Sequence, residues 1–83
     1  MSDPRFLLFI AGSRSVKSKK AIQNLKTILG NKDYDLTVID ILKNPHVAES
    51  VGIIATPMLF KSSPQPIRRF IGDLSNLEHD FFI

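Results

Sequence analysis

The stretch Ile53-Ile54-Ala55-Thr56-Pro57-Met58-Leu59-Phe60 decides the fold, because it sets a proline at the mouth of an apolar run. Pro57 has no amide hydrogen and holds φ near about −65°, so it can open a strand but not sit inside a central one, and it pushes Thr56 into extended geometry. A strand is therefore expected to begin near Met58. Where a chain passes from a helix into an antiparallel strand, the X-Pro bond is a favoured place for a cis peptide, which persists only where a tight turn demands it. Thr56–Pro57 is expected to be cis if the fold is the one that the rest of the chain spells out.

Downstream of Pro57, a short run from Met58 to Lys61 is followed by the loop Ser62-Ser63-Pro64-Gln65-Pro66 and a second run from Ile67 to Ile71. Two short runs joined by a proline-bearing five-residue loop make an antiparallel hairpin. Gly72-Asp73 closes it, and Ser75 or Asn76 can cap a last helix over 77–82.

Upstream, Phe6-Leu7-Leu8-Phe9-Ile10-Ala11 is continuous apolar sequence between Pro4 and Gly12, the pattern of a central strand buried on both faces. Gly12-Ser13-Arg14-Ser15 supplies a turn with good N-caps. From there Val16, Ala21, Ile22, Leu25, Ile28 and Leu29 recur at helical spacing until Gly30-Asn31 stops the helix. Lys17, Lys20, Gln23, Asn24 and Lys26 fall off that stripe and read as a solvated face. Residues 34–41 alternate as a strand, and a helix between two such strands implies a parallel pair with a right-handed crossover. Asn44-Pro45 reads as an N-cap with proline at the first helical position, opening a short helix that Gly52 stops. Residues 51–55 fit helix or strand equally by periodicity. The order is βαβαββα, an α/β arrangement with a mixed four-stranded sheet and a proline before the third strand, which is thioredoxin-like.

The 83 residues make one domain, 1–83, that buries only roughly 60–65% of the surface its unfolded chain exposes, so association with a partner or a second copy is expected. Zero cysteines exclude disulfides, thiolate metal sites and dithiol redox chemistry. The start lacks the basic and apolar regions of a signal peptide, and no apolar run approaches the roughly 20 residues of a membrane span, so a soluble, cytoplasmic chain is expected. A net charge of +3 without a basic stripe interleaved with exposed aromatics does not point to nucleic acid.

A thioredoxin-like enzyme keeps its nucleophile where the first strand meets the helix, since the helix N-terminus acidifies a thiol there. This chain has Ser13 and Ser15 at that place, with neither histidine adjacent in sequence to act as base. Arg14 and Lys17 near the same amides could hold an anion, but no glycine-rich phosphate loop is present. His46 and His79 lack metal-ligand spacing, so neither a metal nor a cofactor is expected. Arg68 and Arg69 are adjacent in a strand, and alternation sends them to opposite faces, so one is expected near the helices or at an interface.

Three blocks, Val38-Ile39-Asp40-Ile41-Leu42-Lys43-Asn44-Pro45, Ile54-Ala55-Thr56-Pro57 and Pro66-Ile67-Arg68-Arg69-Phe70-Ile71-Gly72-Asp73-Leu74-Ser75-Asn76, closely resemble the KaiB family of bacterial clock proteins, and Ala11-Gly12 fits too. The resemblance runs from about Phe6 to Glu78. It implies a non-enzymatic protein that docks on the ATPase KaiC and, where present, sequesters KaiA. The sensor domain of the kinase SasA shares the fold and competes for KaiC, which makes such a sensor domain the second expectation. A cysteine-free thioredoxin-like enzyme working from Ser13 or Ser15 is the third.

The resemblance also implies fold switching between a thioredoxin-like monomer and a ground state of order βαββααβ that is tetrameric, so a homo-oligomer, dimer or tetramer, is expected at rest. Pro57, Pro64 and Pro66 lie in the half that rearranges. The expected partner surface comprises Lys43, Lys61, Arg68, Arg69 and Asp73, all inside or beside the matching blocks. The second strand, at the sheet edge in the thioredoxin-like order, is open to strand pairing by a partner. Family members usually continue past this block with a longer C-terminal helix and often an acidic tail, whereas this sequence ends in apolar Phe81-Phe82-Ile83, which calls for burial. The first helix is more lysine-rich than is usual in the family, so the surfaces for KaiC and KaiA can have diverged.

Overall fold

The structure, a computed structural model, describes residues 3–53, 55–63 and 65–75. The chain runs β1 (Arg5–Ile10), α1 (Val16–Leu29), β2 (Asp35–Asp40), α2 (Pro45–Val51), β3 (Met58–Ser63) and β4 (Arg68–Ile71). One sheet results, in the order β2-β1-β3-β4. β1 is parallel to β2 and antiparallel to β3, and β3 is antiparallel to β4. The described residues thus follow the thioredoxin-like order; the helix expected over 77–82 lies outside them, and so does Pro64. Thr56–Pro57 is cis, as expected, and Gln65–Pro66 is also cis.

The apolar run 6–11 makes β1 central because its side chains alternate into two separate layers. Phe6, Leu8 and Ile10 point to one face, where they meet Ala21, Leu25 and Leu29 of α1 together with Leu59 and Leu74. Phe9 points to the other face and packs with Met58 and Phe60 beneath Val47 and Val51 of α2. The Phe9 and Phe60 rings meet edge to face with centroids 5.8 Å apart. A helix on each face of the sheet follows from that alternation, since β1 from Phe6 to Ile10 and β3 from Met58 to Phe60 present apolar side chains to both faces.

α1 begins where the sequence places it. Ser15 is the N-cap, and its hydroxyl oxygen accepts the Ser18 amide at 3.0 Å. Val16 departs from expectation, being 67% exposed, while Ser18 is buried. The cause is helical phase: Val16 is five residues before Ala21, about 140° around the helix, whereas Ser18 lies on the inward stripe. Ser18 enters that stripe without cost because its hydroxyl accepts from Ser15 Oγ at 2.6 Å. Gly30 ends the helix at φ 57°, its amide donating to the Lys26 carbonyl.

α2 starts at Pro45 behind Asn44, but the Asn44 side chain makes no cap hydrogen bond. Its Nδ2 instead donates back to the Asp40 carbonyl at 3.0 Å, so the residue tightens the β2–α2 turn rather than satisfying helix amides. Gly52 closes α2 in the left-handed region. Residues 51–55, ambiguous by pattern, prove to be the last residue of α2, its cap and irregular chain; residue 54 lies outside the described residues.

Candidate partner-binding surface

The two ends of the sheet carry different chemistry. At the end where β1 and β2 finish, Asp40 ties two loops together: its Oδ1 accepts the Gly12 amide at 3.1 Å and the Leu42 amide at 3.0 Å. Its carbonyl accepts the amides of Lys43 and Asn44. The loop where a thioredoxin-like nucleophile would sit is thereby used structurally. Gly12 N–H is bound to Asp40 and Ser15 Oγ to Ser18, so neither is available to hold an anion or be activated. Lys43 is exposed in the turn that Asp40 builds, at the β2 edge of the sheet.

The remaining expected contact residues lie on the other side of β1: Lys61 on β3, two strand spacings from β2, Arg68 and Arg69 on β4, three spacings or about 14 Å away, and Asp73 just past β4. Lys61 and Arg68 are directly opposite each other in the β3–β4 register, and Phe60 is opposite Arg69. Arg68 and Arg69 do face opposite ways. Both are exposed, and Arg69 is held: its guanidinium lies over the Phe60 ring, 4.7 Å from the centroid. Such stacking positions a cation at little entropic cost because the planar group is already rigid. Lys61 differs from its expectation as a surface charge. It is only 7% exposed, because β3 is an inner strand and Lys61 shares its face with Leu59.

Asp73 follows β4 and is fixed from two sides. Its carbonyl accepts Asn24 Nδ2 at 2.8 Å, and its carboxylate accepts the Ser75 amide at 3.0 Å. The Ser75 hydroxyl and then that amide hold the Asp73 carboxyl below its ordinary value, with Lys20 adding a smaller attraction. Asn24, read from the pattern as a solvated outer position, is therefore an anchor between α1 and the chain leaving β4. Pro57 is buried at the head of β3 and Pro66 exposed in the β3–β4 connection.

The structure brings together Arg68, Arg69 and the buried Lys61, sets Asp73 beyond the end of β4, and leaves Lys43 apart. What the sequence expectation missed is the charge isolation of this side. Between Glu49 and Asp73 the only charged residues are Lys61, Arg68 and Arg69, so the β3–β4 hairpin contains no carboxylate. Ile67 and Ile71, 58% and 57% exposed, flank the arginines with apolar surface. A second surface, a shallow groove on the flank of α1, is lined by Lys19, Ile22, Gln23, Lys26 and Thr27 and includes none of the expected contact residues. Among the described residues no helix is long and apolar enough to cross a membrane.

The same fold recurs among solved structures. The N-terminal domain of Synechococcus elongatus SasA superposes with a TM-score of 0.73 at 22% identity, covering 89% of this chain and 72% of that one. Mitochondrial thioredoxin 3 from Saccharomyces cerevisiae gives a TM-score of 0.69 at 17% identity, covering 88% and 70%. At these identities the likeness is one of fold. Sequence relatives are nearer. The circadian clock oscillator protein KaiB of Prochlorococcus marinus strain MIT 9313 is 49% identical over 74 residues, 86% of this chain and 61% of that protein. Its namesake in Synechococcus elongatus strain PCC 7942 is 47% identical over 73 residues, covering 86% and 72%. The chain thus spans about three fifths to three quarters of the length of these relatives. The KaiB domain model matches residues 7–82, nearly the whole sequence, and the chain belongs to the KaiB family.

Proposed function

We propose that this chain is a non-enzymatic clock or stress-regulatory protein of the cytoplasm whose thioredoxin-like form docks on a KaiC-type ATPase and, where KaiA is present, sequesters it. The observation that carries the reading is the β3–β4 hairpin, a carboxylate-free segment with Arg69 pre-set on Phe60 and Arg68 on the reverse face. Family membership and the fold shared with the SasA N-terminal domain support the choice of partner. The β1–α1 loop argues against an enzyme, since Gly12 and Ser15 are both spent on internal hydrogen bonds. In the resting state the protein is a homo-oligomer, dimer or tetramer, with the contact residues redistributed when the monomer forms.

The test is co-elution of the protein with a KaiC-type ATPase and nucleotide after hours of incubation, with charge reversal at Arg68 and Arg69 as the comparison. Retention by the parent and loss by the double reversal is the expected pair of results. No co-elution of the parent at any incubation time overturns the reading.

The alternative, a sensor domain of a SasA-type histidine kinase, draws on the TM-score of 0.73 to that domain. A gene that continues into a kinase core would select it.

A further inference from the structure

β4 is an edge strand, and hydrogen-bond alternation fixes which of its backbone groups face outward. The Gly72 amide donates to the Pro57 carbonyl at 2.9 Å, which makes 57 and 72 a hydrogen-bonded pair. In an antiparallel ladder such pairs alternate with non-bonded ones. In the observed register Phe70 with Leu59 and Arg68 with Lys61 are then the bonded pairs, while Arg69 and Ile71 stand opposite Phe60 and Met58 with their N–H and C=O groups turned away from β3. Among the described residues nothing pairs with them.

The open backbone groups therefore lie at the two residues whose side chains share one face, the guanidinium of Arg69 and the exposed apolar Ile71. Arg68 adds a second cation on the reverse face. Edge strands are ordinarily blunted by charge against self-pairing, and here the charge has one sign only. A second β4 edge would bring four arginines together, whereas an extended segment with two adjacent carboxylates would meet one arginine on each face and satisfy the open amides.

We infer that the outer edge of β4 takes up an extended acidic segment of a partner protein by strand addition, through the N–H and C=O groups of Arg69 and Ile71, with Arg68 and Arg69 selecting carboxylates and Ile67 and Ile71 selecting apolar flanks. The inference rests on the reading of Arg68 and Arg69 as partner contacts, and it specifies the chemistry and geometry of the contact.

Residue-resolved amide exchange tests it directly, with the synthetic peptide acetyl-Thr-Val-Asp-Asp-Val-Val-Thr-amide as probe and the same peptide with Lys-Lys at its centre as control. In the free protein the Arg69 and Ile71 amides exchange fast and those of Arg68 and Phe70 slowly. With the acidic peptide at about ten times its dissociation constant, the first two slow by about tenfold. The lysine peptide leaves them unchanged, and I71P abolishes the protection because it removes an outward amide without breaking the β3 ladder, while I71S retains part of it. Failure of the acidic peptide to protect either amide at millimolar concentration overturns the inference, as does equal protection by the lysine peptide. Protection that grows on concentrating the protein alone assigns the edge to a second copy and also overturns it.

The KaiC-type ATPase separates this inference from the reading beneath it. Binding lost on double charge reversal but unchanged in I71P keeps the surface and removes strand addition; binding unchanged in both removes the surface.

Discussion

The Asp40 carboxylate accepts the Gly12 amide at 3.1 Å across 28 residues of sequence, and through the same oxygen it accepts the Leu42 amide. One oxygen thus joins the β1–α1 loop to the β2–α2 turn that carries Lys43. Replacing Asp40 by alanine leaves two amides without their acceptor, and the expected cost is about 2–3 kcal/mol in urea unfolding. Asp40→Asn keeps an oxygen of the right shape and costs about 1 kcal/mol or less. Equal losses for the two variants would mean that the charge, rather than the hydrogen bonds, holds the junction.

Gly12 sits at φ 86°, where a side chain is strained whatever the space around it. An added Cβ would lie 3.5 Å from Leu42 Cδ1, an ordinary contact, so the penalty of Gly12→Ala is one of backbone conformation. It is expected at about 1–2 kcal/mol. For a domain of this size each kcal/mol lowers Tm by about 4–8 °C, which thermal unfolding resolves.

How far the sequence could be read follows from where the information is local. The order of elements, the central position of β1, the parallel β1–β2 pair, the hairpin and the Thr56–Pro57 junction rest on apolar runs, glycines and prolines, and each acts within a few residues. Asn24 shows what lies beyond that range. On α1 it is a polar residue off the stripe, and only the tertiary placement of Asp73, 49 residues away, makes it an anchor. Lys61 fails in the same way, since a lysine in a strand reads as surface until the strand order makes that strand an inner one. Val16 leaves the apolar stripe for a local reason, its phase around the helix.

Leu25 is fully buried between α1 and the sheet, and Leu25→Ala is expected to cost about 3 kcal/mol, within the 2–5 kcal/mol span of such truncations. Total stability of about 4–12 kcal/mol for a chain of this length leaves a measurable unfolded fraction at the low end. Val16→Ala, at the exposed start of the same helix, should shift stability by less than about 0.5 kcal/mol. Chemical denaturation of the pair checks the phase assigned to α1.

Arg69 separates stability from recognition. Its contact with the Phe60 ring is exposed, so Arg69→Ala should cost less than about 1 kcal/mol in folding. Its effect on binding to a KaiC-type ATPase should be larger, with the parent's affinity falling as salt rises and the variant's falling less steeply. Titrations at two ionic strengths give both quantities. A large stability loss with unchanged binding would return Arg69 to a purely structural role.

Asp73 gives the pH prediction. Its carboxyl is lowered from 3.8 by the Ser75 hydroxyl, then by the Ser75 amide, with Lys20 contributing less. A group whose folded value lies below its unfolded one adds stability that is present above the unfolded value and is lost as pH falls through the folded one. The contribution of Asp73 is thus complete near neutral pH and fades below 3.8. Asp73→Asn removes it, so the parent should be the more stable protein at pH 6, and the two curves should converge in strong acid. Because Asp73 is only half-buried, the gap is small, and added salt narrows only the part owed to Lys20. Ser75→Ala should reproduce most of the loss at pH 6, since the hydroxyl is the leading cause. Parallel stability curves for parent and Asp73→Asn between pH 6 and pH 2.5 would show that the carboxylate gains nothing on folding, and the Ser75 contact would then lose its role in fixing the exit of β4.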